Sequence, residues 1–444
     1  MLSKVLSKLS PNKQKALRNV LWAMLGKVVT MLGALFVGIL VARYLGPSQY
    51  GLMNYVISFV TLFSVLATLG LDNIVIRELA ANPEQNNEIM GSSFLARLCL
   101  SGLAYVFSIS IAFFSHADSN TIIVIAIYSL YLFTIPFNTI RNYFTSIVKN
   151  EYVVKSEISR TLIGAVIKIV LLWMKAPLIY FIAATAFDFY LVAGGYIISY
   201  KKIVGSIRTW RYSKKTMVYL CKESFPLALS ASAIIIYQKI DQVMIKNMLN
   251  DSSVGYFATA AIFLGVISFL PDVISQTITP ILVKMKKENE TQYNLNTQKF
   301  FGITVWCAIL MALVTCSISY WVIRYTYGLK YIAAVPVLQV LVWKTVGGAL
   351  SSSSGHIIIL EHLQKYAFFR NIIGTVICVI LNFIFIPKWG IIGSAWVAVI
   401  TMMFTGFLSH FFIPPYRKYF KMQVKALLFG WKELFELKNM MKGK

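Results

Sequence analysis

The sequence predicts an all-α integral membrane protein of about twelve transmembrane helices, arranged as two six-helix lobes. Three observations carry this. The chain is 58% hydrophobic and 13% charged over 444 residues, a composition that leaves no room for a soluble domain. Its apolar residues gather into twelve stretches of the length a helix needs to cross a hydrocarbon core of about 30 Å. Its positive charge falls in every second loop.

The stretches run over 19–42, 50–70, 94–114, 121–147, 157–174 and 178–200, then 225–248, 254–283, 301–323, 333–360, 366–386 and 391–413. Of the 42 Lys and Arg residues, 32 lie at the ends and loops of one side. The other side holds five: Arg43, Lys175, Arg324, Lys330 and Lys388. The positive-inside rule therefore puts both termini in the cytoplasm. The net charge of +25 edges the spans, so topology and anionic lipid headgroups account for it and nucleic acid is not a partner. The start, 1–19, lacks an apolar signal-peptide core, so the first span is expected to stay as an uncleaved anchor.

The longest cytoplasmic connection is the basic run 201–222. It divides an N-lobe, 19–200, from a C-lobe, 223–413. Both halves then start from the cytoplasm, and any repeat is a parallel one about an axis along the membrane normal. Leu45-Gly46-Pro47-Ser48-Gln49-Tyr50-Gly51 between the first two spans has a counterpart 204 residues on, Leu249-Asn250-Asp251-Ser252-Ser253-Val254-Gly255. Both ends read as basic amphipathic helices on an anionic leaflet. In 1–18 the apolar face is Leu2, Val5, Leu6 and Leu9. In 414–444 it is Phe420, Val424, Leu427, Leu428, Trp431, Leu434 and Phe435. A solvated tail is the plain alternative.

No GxxxxGK[ST] phosphate loop, GxSxG or HExxH is present, and no long outer loop carries paired carboxylates. The five cysteines and four histidines are dispersed and fit no metal site, disulfide framework or cofactor. These absences favour a transporter over an enzyme. The useful signal is then the ionisable group inside a span, which is costly unless it faces a cavity or a partner.

Lys27 lies about 14 Å above Arg18 along the first helix, on a face with Thr30, Ala34, Gly38 and Ala42, a small-residue pattern that packs against other helices. In the seventh span Ser232, Lys239, Gln242 and Lys246 share a face flanked by Gln238 and Asp241. Snorkelling explains Lys246, near the outer end, and serves equally well for Lys168. Polar stripes mark the fourth span (Asn138, Arg141, Asn142, Thr145) and the eighth (Asp272, Ser275, Gln276, Thr279, between Pro271 and Pro280). Lys344 starts a small-residue stretch in the tenth, and Asp188 sits midway along the sixth. Lys27, Lys239, Arg141 and Lys344 are the candidate substrate-binding cations. Asp241, Asp188 and Asp272 are the candidates for a coupling ion, H+ or Na+. For Lys27 the structural alternative is a buried lysine held in a hydrogen-bonded interhelical contact.

Several segments resemble the Wzx-type O-antigen and polysaccharide repeat-unit flippases. These belong to the polysaccharide transporter family of the multidrug/oligosaccharidyl-lipid/polysaccharide exporter superfamily. The segments are Val41-Ala42-Arg43-Tyr44 running into Leu45 through Gly51, Gly70-Leu71-Asp72-Asn73, and Arg77-Glu78-Leu79-Ala80. Further on come Lys239-Ile240-Asp241, Val254-Gly255-Tyr256-Phe257, Tyr327-Gly328 with Pro336-Val337-Leu338, and Pro387-Lys388-Trp389-Gly390-Ile391-Ile392-Gly393-Ser394-Ala395. The resemblance covers the whole chain in order. It implies a V-shaped pair of six-helix lobes around a central cavity. The implied cargo is an undecaprenyl-diphosphate-linked oligosaccharide, with polysaccharide assembly proteins as further partners. Lys27 and Lys239 would then hold the diphosphate from the two halves. Where relatives often carry arginine in the seventh span this chain has Lys239, which keeps the charge and loses the bidentate fork. The rival of the same fold is a cation-coupled multidrug exporter, which would favour carboxylates and aromatics in its cavity. The rival of another class is a membrane-embedded glycan polymerase or ligase.

Overall fold

The computed structural model describes the backbone of residues 11–361 and 363–434, with side chains from Gly26 onward, Lys27 and Lys287 excepted. The predicted apolar face at 2–9 and the far tail with Phe435 lie outside the described residues. Every regular element described is helical. Nine segments among the described residues are long and apolar enough to cross a membrane. Two of them contain a glycine that breaks the helix: Gly46, φ 74°, in α1 (Pro11–Thr68) and Gly390, φ 57°, later in the chain. Each turn follows or precedes a proline motif noted in the sequence, and only glycine takes such a φ without strain. Each broken segment is therefore two passes. The helix Asn150–Trp173 adds the twelfth and carries Glu157, Arg160 and Lys168.

Two compact units form. The first comprises residues 1–45 and 56–232. After α1 it contains α2 (Leu71–Ala81), α3 (Asn86–Phe114), α4 (Ser119–Ser129) and α5 (Asn138–Ser146). It continues with α6 (Asn150–Trp173), α7 (Leu178–Ile203) and the first part of α8 (Lys214–Met248). Leu71, Val75, Met90, Ile140, Phe144, Tyr196 and Leu220 make one buried cluster. Beside it the fully buried Arg97 places Nη2 2.8 Å from Asp72 Oδ1, which also accepts from Asn142 Nδ2 at 2.9 Å. A buried cation needs such a partner, since its desolvation is otherwise uncompensated.

The basic segment 201–222 folds onto this unit. Trp210 Nε1 donates to the Tyr200 hydroxyl at 3.1 Å and Arg211 N to the Asn87 carbonyl at 2.9 Å. The Thr216 hydroxyl donates to Glu88. Gly91 makes room: a Cβ there would stand 2.3 Å from the Arg211 carbonyl oxygen. The units divide inside α8, between Ser232 and Ala233, ten residues beyond the predicted linker.

The second unit comprises residues 46–55 and 233–444. Its helices after α8 are α9 (Asp251–Glu288), α10 (Glu290–Thr326), α11 (Ala334–Leu341) and α12 (Lys344–Leu360). Then come α13 (Lys365–Met403), a π-helical turn at Phe404–Leu408, α14 (Ser409–Phe412) and α15 (Arg417–Phe429). Residues 46–55 belong here because the two repeat motifs pack backbone to backbone. A Cβ on Gly51 would meet the Asp251 carbonyl oxygen at 1.7 Å, and one on Gly255 would meet that of Pro47 at 2.1 Å. Positions 51 and 255, like 47 and 251, are equivalent at the 204-residue offset. The contact is thus reciprocal, as a two-fold axis through it requires. Tyr50 and Tyr256 close around Tyr331, each with ring centroids 6.3 Å away.

The described part of the tail helix packs against the second unit. In α15 Tyr419, Gln423 and Ala426 are buried, while Leu428 and Trp431 of the predicted apolar face are exposed. Gln423 Nε2 donates to the carbonyls of Gly406 (3.0 Å) and Leu350 (3.3 Å). Its Oε1 therefore accepts from His410 Nδ1 at 2.8 Å. A π-turn leaves a carbonyl without its usual partner, and the tail supplies one through a glutamine that an apolar count overlooks.

Candidate functional site

Each unit carries its own half-open cavity, and in each a broken membrane helix forms part of the wall. In the second unit a cavity of about 450 Å³ is lined by Gln238, Lys239, Asp241 and Gln242 of α8, by α9 from Phe257 to Ser268, and by Leu341, Lys344, Thr345 and Gly348. The tenth span is interrupted here. Val342 and Trp343 separate α11 from α12, with Thr345 N bonded to the Val342 carbonyl at 3.0 Å in a three-residue step. Lys344 is thereby the first residue of α12. A second cavity of about 300 Å³ shares Gln238, Ser268, Thr345 and Gly348 and adds Asp272, Ser351 and Ser352. Irregular backbone at membrane depth is tolerated where it lines such a space.

Lys239 and Lys344 form no ion pair among the described residues. The Lys344 ammonium is close enough to act electrostatically on both Lys239 and Asp241. Asp241, 1% exposed, turns instead to the eleventh and twelfth spans. Its Oδ1 accepts from Asn382 Nδ2 at 2.8 Å and faces Cys378 Sγ at 3.5 Å, and Asn382 Oδ1 accepts from the Ser394 hydroxyl at 2.9 Å. A buried carboxylate with one hydrogen-bonded oxygen is a demanding group, suited to exchange of a proton or small cation.

In the first unit a cavity of about 260 Å³ is lined by Ser64 and Thr68 of α1, Tyr131 to Arg141, Glu157 and Arg160 of α6, and Phe189 to Tyr196 of α7. The fourth span is broken here, with a 3-10 run at Leu130–Phe137 between α4 and α5. The Leu130 carbonyl, freed from the α pattern, accepts from the Tyr190 hydroxyl at 2.7 Å. The polar stripe of this span splits where the helix changes pitch. Asn138 and Arg141 face the cavity, Asn142 binds Asp72, and the Thr145 hydroxyl donates to Asn150 Oδ1 at 3.1 Å.

The remaining candidates lie elsewhere. Asp188 is ion-paired with Lys168 across α6 and α7, and its Oδ1 crowds Gly164, where a Cβ would stand 2.1 Å away. Lys246 pairs with Asp251 at 2.6 Å. The helix of Lys27 is described and its side chain is not. Among the described residues no group of three or more His, Cys, Asp or Glu side chains is placed to hold a metal. Sequence reasoning missed Asn382, an amide deep in the apolar run 366–386, and the pair Glu157 and Arg160, spaced i, i+3 on one face of α6. Those spacings were the available signals.

The fold is that of the MOP superfamily of membrane transporters. An inward-facing multidrug resistance MATE family transporter is 15% identical, with a TM-score of 0.63 over 92% of this chain and 96% of that one. The lipid II flippase MurJ, in an inward closed conformation, is 18% identical, with a TM-score of 0.64 over 93% and 92%. A MOP superfamily transporter from Pyrococcus furiosus is 15% identical, with a TM-score of 0.58 over 96% of each chain. A comparison with curated protein sequences gives no match. The profile described as polysaccharide biosynthesis protein matches residues 16–286, more than half of the chain. The protein belongs to that family.

Proposed function

We propose that the protein is a flippase that carries an undecaprenyl-diphosphate-linked oligosaccharide, an O-antigen or capsule repeat unit, to the outer leaflet of the bacterial plasma membrane. The observation that carries the reading is the pair of lysines, Lys239 and Lys344, which form no ion pair among the described residues, in a cavity of a polysaccharide biosynthesis family member. Two lysines against the single carboxyl group of Asp241 in that cavity favour an anionic cargo such as a diphosphate over a cationic drug. The fold shared with a lipid II flippase supports the same class. Sugar and diphosphate enter the protein while the polyprenyl tail stays in lipid. Lys239 and Lys344 hold the diphosphate, and Lys27 and Arg141 are further cations toward other parts of the cargo. Asp241, steadied by Asn382, carries the coupling ion, with Asp272 next in line. Both termini are cytoplasmic, and the protein acts as a secondary transporter, not an enzyme.

The test is replacement of the lysines in a strain that depends on this chain for surface polymer. Lys239→Ala with Lys344→Ala should leave the protein in the membrane, stop surface polymer, and cause lipid-linked repeat units to accumulate in the inner leaflet. Normal surface polymer in the double variant would remove the cationic cavity from the mechanism.

A further inference from the structure

The first unit's cavity has a chemistry unlike that of the second. Arg141 and Arg160 form no ion pair among the described residues. The Arg160 guanidinium carbon lies 5.7 Å from the Phe189 ring centroid, and both residues line the cavity. Glu157, on the same face of α6, accepts from the Tyr196 hydroxyl at 3.3 Å. All three charges act on that hydroxyl. Ser64, Thr68, Thr134 and Asn138 fill in the wall with small hydroxyl and amide groups.

We propose that this cavity is a sugar subsite and that Arg141 and Arg160 read a carboxylate on one sugar of the cargo. The inference rests on the flippase reading and says which kind of repeat unit is carried. Guanidinium forks match a carboxylate bidentately, where a lysine supplies only a point charge. Glu157 leaves the cavity one net positive charge. That matches a single carboxylate, whereas a diphosphate would bring more negative charge against Glu157. The free Glu157 oxygen and the hydroxyl and amide groups supply acceptors and donors for ring hydroxyls. A space of about 260 Å³ lies just below the range of ordinary small-molecule pockets, about 300–1,000 Å³, and suits one sugar better than a whole oligosaccharide.

The experiment compares two synthetic lipids, undecaprenyl-diphosphate disaccharides whose terminal sugar is a hexuronic acid or the matching hexose. Binding of each to the full chain in nanodiscs is titrated. The acid should bind about tenfold tighter or more, the scale of a charge-assisted hydrogen bond. The ratio should collapse towards one in Arg160→Gln and be partly kept in Arg160→Lys. Equal binding of the two lipids by the unaltered protein overturns the sugar reading and leaves the flippase standing. A preference that survives both Arg160→Gln and Arg141→Gln also overturns it, because the carboxylate is then read elsewhere. Failure of both lipids to bind overturns the flippase reading, and this inference falls with it.

Discussion

Lys239 and Lys344 pose a question of charge against shape. If they hold a diphosphate, Lys239→Arg should sustain transport and Lys239→Glu should abolish it, with unchanged protein level in both. A lysine serving only to pack the bundle would give the opposite pattern, loss of folded protein in the alanine variant without a charge preference. Asp241 differs because it already has protein partners. Asp241→Asn should keep the hydrogen-bonded position beside Asn382 yet remove the dependence of transport on a proton or sodium gradient, read in proteoliposomes with an imposed gradient. Undiminished ion-driven transport would make Asp272 the better candidate. Asp72 is a structural carboxylate. Asp72→Ala strands the fully buried Arg97, and because Asp72 itself is partly exposed the cost falls below the about 3–5 kcal/mol of a wholly buried pair. Thermal unfolding in detergent should show that loss directly. Of these residues, Lys239, Lys344 and Asp241 were legible in the sequence as charges inside apolar runs. Asn382 was not, because a single amide signals nothing until an aspartate from 141 residues away faces it.

At the scale of elements, glycines decide where helices turn and where they touch. Gly51→Ala and Gly255→Ala would drive a Cβ into backbone oxygens at 1.7 and 2.1 Å, and backbone cannot move aside as a side chain can. Gly102 and Gly265, inside helices with nothing within 4 Å of a new Cβ, should behave oppositely, since alanine in a helix is favoured by roughly 1 kcal/mol. Thermal unfolding of the four variants should put the first pair well below the unaltered protein and the second pair at or above it. The turn at Leu45 to Gly51 and its repeat at Leu249 to Gly255 were visible as motifs; their mutual packing was not, because a motif carries no distance. Likewise the fourth and tenth spans read as continuous apolar stretches. Their breaks at Leu130–Phe137 and at Val342-Trp343 are tertiary choices, made where a cavity lets the backbone leave the α pattern. The tail helix follows the same logic: Gln423 is buried because the π-turn offers it a carbonyl.

At the scale of the molecule, the charge pattern predicts a topology. Accessibility of single reporter sites should place 201–222 and the C-terminus in the cytoplasm, with Asn250 to Ser253 outside. A C-terminus found outside would make the number of passes odd and break the repeat. The all-helical membrane class was determined by the sequence alone. Hydrophobic length, loop charge and turn glycines are local quantities, and the bilayer converts them into a fold with few alternatives. Which polar residues meet was decided only by the tertiary structure. Asp188 found Lys168, Asp241 found Asn382, and Arg141 joined Arg160 and Glu157 in one cavity. Helical periodicity gives each residue a face, but the neighbour that face meets depends on how distant helices pack.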